Sequence, residues 1–344
     1  MLSFKILPLV QVDPDGKQIN IDAIKSICSK GLEDCPPEDR AIAWLVLSGV
    51  LSEFPQEWSA IREESKKKYL EFASFFGMGD YHKVTIPNRT IHDIYSVEHC
   101  DILDMIHADI VRTVRHIVFL PFPSDSQTEE RDILNSYQLQ MRRIERILYV
   151  FSQLNASISY MQGFNELVVP IFFAVSSALQ YFYNDWDEVE ALVFFCFHNL
   201  IVETRMNEFY NTHDQSSIIM RNMTEFEELL AKHKPRISSI VKSLGIHPLC
   251  YALKWINLLF SQEYDIPNLV MVWDAIFSHF DRLTDYTLYV ALGHISVFES
   301  RIDGETFAET MEILQHYSVQ NVKEVLSYAN QYWHVDFKNS LLVY

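Results

Sequence analysis

Cysteine, glycine and basic residues are all scarce in this chain, and each shortage removes a class of function. The five cysteines, Cys28, Cys35, Cys100, Cys196 and Cys250, are odd in number and widely spaced, with no Cys-x-x-Cys pair. Neither a disulfide framework nor a thiolate zinc site is indicated, and a reducing compartment is expected. Only 9 glycines occur in 344 residues, and no Gly-rich phosphate loop is among them, so the chain is not expected to hold a nucleotide by itself. Lys and Arg number 28 against 46 Asp and Glu, a formal net charge of −18. That field repels phosphate backbones and anionic lipid, which argues against nucleic acid as a partner. The first ten residues lack the basic stretch, apolar core and cleavage site of a signal peptide, so a cytoplasmic location is expected. The most apolar stretch, Leu167 to Tyr183, is near the lower limit for a membrane span and contains Pro170. It reads as a core helix, with no direct membrane insertion.

What the chain has in abundance is apolar surface at helical spacing. Hydrophobic residues make up 49% of the sequence, recur at steps of three and four almost throughout, and nowhere alternate over a long stretch. The fold is predicted to be all-α, a single domain with room for two sub-lobes. From Asp132 to Leu154 the set Ile133, Tyr137, Met141, Ile144, Leu148 and Phe151 forms one stripe, with Arg142, Arg143 and Arg146 on other faces. The spacing predicts an amphipathic helix of about six turns. Similar stripes cover 189–209, 223–244, 249–260, 269–280, 286–298 and 307–314, separated by Pro235, Gly245 with Pro248, Pro267, and Asp303-Gly304. Pro36-Pro37 introduces a buried helix carrying Trp44. Segments 77–98 and 121–128 read as loops.

Two short segments carry the chemistry: Ile106-His-Ala-Asp109-Ile-Val-Arg112-Thr113 and Tyr160-Met-Gln162-Gly163-Phe164-Asn165. On a helix Asp109 and Arg112 share a face, so the carboxylate orients the guanidinium while other N–H groups stay available. A planar guanidinium fork suits phosphate oxygens better than an ammonium does. Taken alone, Asp-x-x-Arg reads as an ordinary helix salt bridge and proves nothing. Gly163 permits positive φ beside Gln162, and Asn165 is a preferred N-cap, with Glu166 following in the first turn. Gln162 is therefore predicted on a tight turn, with its amide projecting outward and able to accept from a water while donating elsewhere. A structural turn capped by Asn165 satisfies the same pattern. Cys196-Phe-His198, the nearest approach to a nucleophile and base, is an i,i+2 pair whose side chains diverge on a helix. The run Lys66-Lys67-Lys68 lies among glutamates and reads as a solvated helix face.

These two segments resemble the first two signature motifs of the TBC domain, the catalytic domain of Rab GTPase-activating proteins. Ile266-Pro267-Asn-Leu-Val-Met-Val-Trp273-Asp274-Ala-Ile-Phe277 is similar to the third, and Arg40-x-x-x-Trp44-Leu-x-Leu-x-Gly-Val-Leu to the opening of the domain. Phe194-Phe-Cys-Phe-x-Asn-Leu and Leu259-Phe-Ser-Gln-Glu-Tyr further resemble the member-13 branch of that family. The resemblance implies a domain over 36–330, an N-terminal extension over 1–35 packing on it, and a C-terminal tail over 331–344. It implies a GTPase activator, not an enzyme acting alone. Arg112 would act as an arginine finger on the γ-phosphate and Gln162 as a glutamine finger that orients the attacking water. Both would work in trans on a GTP-bound Rab. GTP and Mg²⁺ would be carried by the Rab, with no cofactor of the chain's own, and the Rab would bring it transiently to membranes. Asp109, Thr113, Tyr160, Gly163 and Asn165 would support the fingers. Arg115 replaces the family's usual proline and Phe164 its usual methionine; with Asp274 these are candidate Rab contacts, the alternatives being a solvated helix residue for Arg115, packing beneath the glutamine loop for Phe164 and a structural role, shared with Trp273, for Asp274. The alternative is a non-catalytic TBC module that binds a Rab or a trafficking partner as a scaffold.

Overall fold

The structure, a computed structural model, describes residues 2–11, 16–84, 95, 97–121, 137–210, 215–304 and 306–340. Every regular element among them is helical, and the chain divides into two compact units, 1–24 with 34–203 and 25–33 with 204–344. Helix α1 (Ile21–Cys28) straddles the division. The first unit then contains α2 (Pro37–Leu47), α3 (Trp58–Phe75), α4 (Cys100–Arg112), α5 (Val114–Ile117), α6 (Gln138–Leu154), α7 (Phe164–Ser176) and α8 (Trp186–Val202). The second contains α9 (Met206–Tyr210), α10 (Gln215–His233), α11 (Pro235–Ser243), α12 (Leu253–Asn257), α13 (Ile266–Phe277), α14 (Leu283–Phe298), α15 (Phe307–His316) and α16 (Val322–Ser340). No helix among the described residues is long and apolar enough to cross a membrane.

In the first unit, Pro37 opens α2 at a position where its missing N–H costs nothing, and Glu38 and Asp39 complement the helix dipole. Ala41, Ile42, Ala43, Trp44 and Leu45 are fully buried, as expected. The N-terminal segment is tied to this helix, because the amides of Lys5 and Leu7 both donate to the Asp39 carboxylate. Helix α6 departs from expectation. Tyr137 caps it, residues 132–136 with Ile133 lie outside the described ones, and the arginines on its other faces, Arg142, Arg143 and Arg146, are buried as well. Arg143 and Arg146 find their counter-charge far along the chain. Glu190 of α8 accepts from Arg143 Nη1, Arg146 Nε and Arg146 Nη2, each at 2.6 Å, and from the Tyr69 hydroxyl at 2.6 Å. Planar guanidinium forks satisfy both carboxylate oxygens, which allows burial of such a cluster.

In the second unit, α14 and α16 pack so closely that a Cβ at Gly293 would stand 2.3 Å from the Val325 carbonyl oxygen. Only glycine fits there. The expected domain end at residue 330 falls inside α16, which buries Val325, Leu326, Ala329 and Trp333. Residues 331–340 are thus part of this packed helix and not a tail; 341–344 lie outside the described residues. The stripe expected over 249–260 breaks into a 3-10 turn, Pro248–Cys250, and one short helix, Leu253–Asn257, beyond which Leu259 and Phe260 adopt left-handed φ of 47° and 64° that no helix continues through.

Candidate functional site

Helix α4 carries the first segment on a face that is half buried and half open. Ile106 and Ile110 are sealed in the core, Asp109 sits at its edge, and the Arg112 side chain is 72% exposed. Arg112 Nη1 donates to Asp109 Oδ1 at 3.4 Å. A contact this long at an exposed group contributes little to stability, but it restricts where the guanidinium points. α4 ends at Thr113, whose hydroxyl donates to the Asp109 carbonyl at 2.8 Å.

The second segment forms a turn that enters α7. Gly163 adopts φ +110°, a left-handed value open to glycine, and Gln162 just before it is exposed. The helix begins at Phe164 with Gly163 as its cap, so the expectation that Asn165 caps it is corrected. Asn165 lies inside the first turn. Its Oδ1 accepts from Gly163 N at 3.1 Å, and its Nδ2 donates to Thr113 Oγ1 at 2.8 Å. Pro170 lies inside α7, which runs through it to Ser176.

The two segments are therefore tied together. Asn165 bonds Thr113, and the Tyr160 hydroxyl donates to Asp109 Oδ2 at 2.9 Å. Burial, followed by the Asp109 carboxylate, pushes the Tyr160 hydroxyl well above its usual pKa, so it stays protonated and keeps donating. One tie leaves the chain three residues before Arg112 and the other one residue after it. They land two residues before Gln162 and three after it. The side chains that make the ties are buried, while Arg112 and Gln162, lying between them, face solvent.

Sequence reasoning missed three further contacts. Glu166, in the first turn of α7, approaches Arg115 Nη2 at 3.8 Å and buried His116 Nε2 at 3.5 Å, a third link between the segments. On the other flank of α4, His107 Nδ1 lies 2.9 Å from Glu145 Oε1 of α6. Glu145 is buried and also accepts from Arg142 at 2.7 Å and the Tyr81 hydroxyl at 2.7 Å. The signal was an unexplained charge inside an apolar stripe.

Of the three candidate Rab contacts, Phe164 and Asp274 take the structural alternative. Phe164 is sealed in a cluster with Phe151, Phe197 and Tyr160 at ring-centroid separations of 5.6–6.1 Å. Asp274, in the second unit, is fully buried and accepts from the Leu32 amide at 2.7 Å, while neighbouring Trp273 Nε1 donates to the Leu259 carbonyl at 2.8 Å. Both are structural, because a side chain without solvent contact has no surface to offer. Arg115 remains exposed. Of the expected loop 77–98, residues 85–94 and 96 lie outside the described ones, as do 122–128 of the other. Burial pushes the Cys196 thiol up to about 12, which keeps it a neutral core side chain. No grouping of His, Cys, Asp and Glu able to hold a metal occurs among the described residues.

Comparison with known proteins bears directly on these segments. The family model described as the Rab-GTPase-TBC domain matches residues 39–302. Human TBC1 domain family member 13 is 29% identical over 208 residues, covering 60% of this chain and 51% of that protein. The GTPase-activating protein gyp1 of Schizosaccharomyces pombe is 21% identical over 336 residues, covering 92% of this chain and 58% of that protein. The chain spans about half the length of the curated relatives it matches. Among solved structures, the Ypt/Rab-GAP domain of Gyp1p superposes with a TM-score of 0.70 at 19% identity, covering 97% of this chain and 98% of that one.

Proposed function

This chain belongs to the Rab-GTPase-TBC domain family, and from that membership and its site we propose that it accelerates GTP hydrolysis by a Rab-family GTPase. Arg112 supplies positive charge to the γ-phosphate oxygens as the bond to the GDP leaving oxygen breaks, and Gln162 orients the water that attacks phosphorus. The GTP and its Mg²⁺ arrive in the Rab, and the Rab carries the complex to its membrane. The observation that supports this reading is the pairing of two exposed polar side chains on segments that buried neighbours lock to one another. A finger must reach out while its base stays fixed, since misplacement by about 1 Å costs up to 10²-fold in rate.

The test is a single-turnover GTP-hydrolysis assay over a panel of GTP-loaded Rab proteins. At least one Rab is expected to respond to the parent protein and to lose most of that response with Arg112→Ala or Gln162→Ala. An Arg112→Ala variant as effective as the parent overturns the proposal in favour of a binding module.

A further inference from the structure

The exposed face of α4 does not end at Arg112. Asp101, Met105, Ala108 and Arg112 are all exposed, at spacings of four, three and four residues. At 100° per residue these positions fall within an arc of about 60°, a single stripe along the helix. Met105 is 52% exposed although residues on either side of it turn Leu103 and Ile106 into the core. A lone exposed apolar side chain is unremarkable on a protein surface. This one stands two turns from the arginine that reaches the nucleotide in the proposed function, and it shares that arginine's face.

That placement has a consequence for any bound GTPase. A standard protein interface covers about 800 Å² on each partner, a patch of roughly 16 Å radius. Along the helix axis Ala108 lies about 6 Å from Arg112, Met105 about 10 Å and Asp101 about 16 Å. A GTPase seated with its γ-phosphate at Arg112 and Gln162 therefore covers Ala108 and Met105 and reaches Asp101 at its rim. We infer that the outer face of α4 is a docking track for the partner GTPase, with Met105 and Ala108 resting on an apolar part of the GTPase surface beside its nucleotide. The inference rests on the proposed function and adds to it the side chains that set affinity. A flexible thioether adapts its shape to an opposing surface, and a small alanine lets the partner approach the helix closely. Arg112 and Gln162 act on the rate of the chemical step, whereas Met105 and Ala108 act on association.

The experiment measures kcat and KM separately, on a Rab that responds to the parent protein, for Met105→Glu, Ala108→Arg, Met105→Leu and Arg112→Ala. Both disruptive substitutions are at exposed positions and introduce good helix formers, so the fold is retained. Met105→Glu and Ala108→Arg are expected to raise KM for the GTP-loaded Rab at least tenfold with kcat within about twofold of the parent. Met105→Leu keeps the parent KM, and Lys67→Glu, an exposed charge change on α3, moves neither constant. Unchanged KM in both disruptive variants, or a fall in kcat at constant KM, overturns the docking track. If that happens while Arg112→Ala still abolishes stimulation, the docking inference alone fails. If Arg112→Ala is as active as the parent, the functional reading itself has failed.

Discussion

Thr113→Val separates the ties between the two segments from the exposed Arg112 and Gln162 side chains that lie between them. Valine keeps the branched shape and bulk of threonine, so no cavity opens, but it removes the one hydroxyl that both donates to the Asp109 carbonyl and accepts from Asn165 Nδ2, each at 2.8 Å. Thr113 is 1% exposed and Asn165 6%, so water does not replace the lost partner. A buried donor left without an acceptor costs about 1–3 kcal/mol. For a folding unit of 150–250 residues each kcal/mol lowers Tm by about 2–4 °C, which gives an expected fall of roughly 2–12 °C by thermal unfolding. In single-turnover assays well below Tm, kcat should fall about tenfold with KM for the Rab little changed, because the arginine and glutamine segments lose registry while the docking surface persists. Tyr160→Phe removes the second tie. Since both substitutions act on one network, the double variant is expected to depart from the sum of the singles. A Thr113→Val protein with parental Tm and parental rate would refute the claim that these bonds hold the site.

Three further outcomes follow from the same structure. Gly163→Ala forces a Cβ into φ +110° and should destabilise the protein by about 1–3 kcal/mol, with a matching loss of stimulation as Gln162 shifts; a parental thermal midpoint contradicts this. Glu145→Gln leaves Arg142, 2% exposed, without the carboxylate 2.7 Å away, and should lower unfolding free energy in urea by about 3–5 kcal/mol; an unchanged midpoint shows that the cluster is not a stabilising ion pair. Acid should weaken the second unit, because burial holds His279 at about 4 and His294 at about 3. Below about pH 6.5 the unfolded state takes up a proton that the folded state refuses, so stability is full above 6.5 and falls toward pH 4, by roughly 3 kcal/mol for each histidine by pH 4.5. His279→Phe keeps the stack on Tyr286, where the centroids are 3.7 Å apart, and should flatten that decline in denaturation measured across pH; a slope equal to the parent's rules the histidine out.

The helical class and both segments of the site were legible because they are local. Apolar period, Gly163 before a helix and an Asp-x-x-Arg pair all reside within a few residues of sequence. What could not be read depends on distant partners. The burial of Arg143 and Arg146 was not legible because Glu190, which neutralises both, lies more than forty residues away. Asn165 looked like a helix cap because that is its common local use, whereas its amide is committed to Thr113 on another helix. The structural role of Asp274 was legible, but not its partner, a backbone amide from residue 32. Helix α16 escaped notice because much of its surface is polar and only one narrow stripe, Val325 to Trp333, meets α14 at Gly293.

The central claim is that Arg112 and Gln162 together meet the transferring phosphoryl group of a bound GTPase. It is tested most directly by measuring affinity for a responsive Rab loaded with GDP, Mg²⁺ and aluminium fluoride, which mimics the transition state, against the same Rab with GDP alone. The parent protein should bind the mimic at least 100-fold more tightly, and Arg112→Ala and Gln162→Ala should each lose most of that preference. Equal affinity of the parent for the two forms, or a preference that survives both substitutions, would contradict the account.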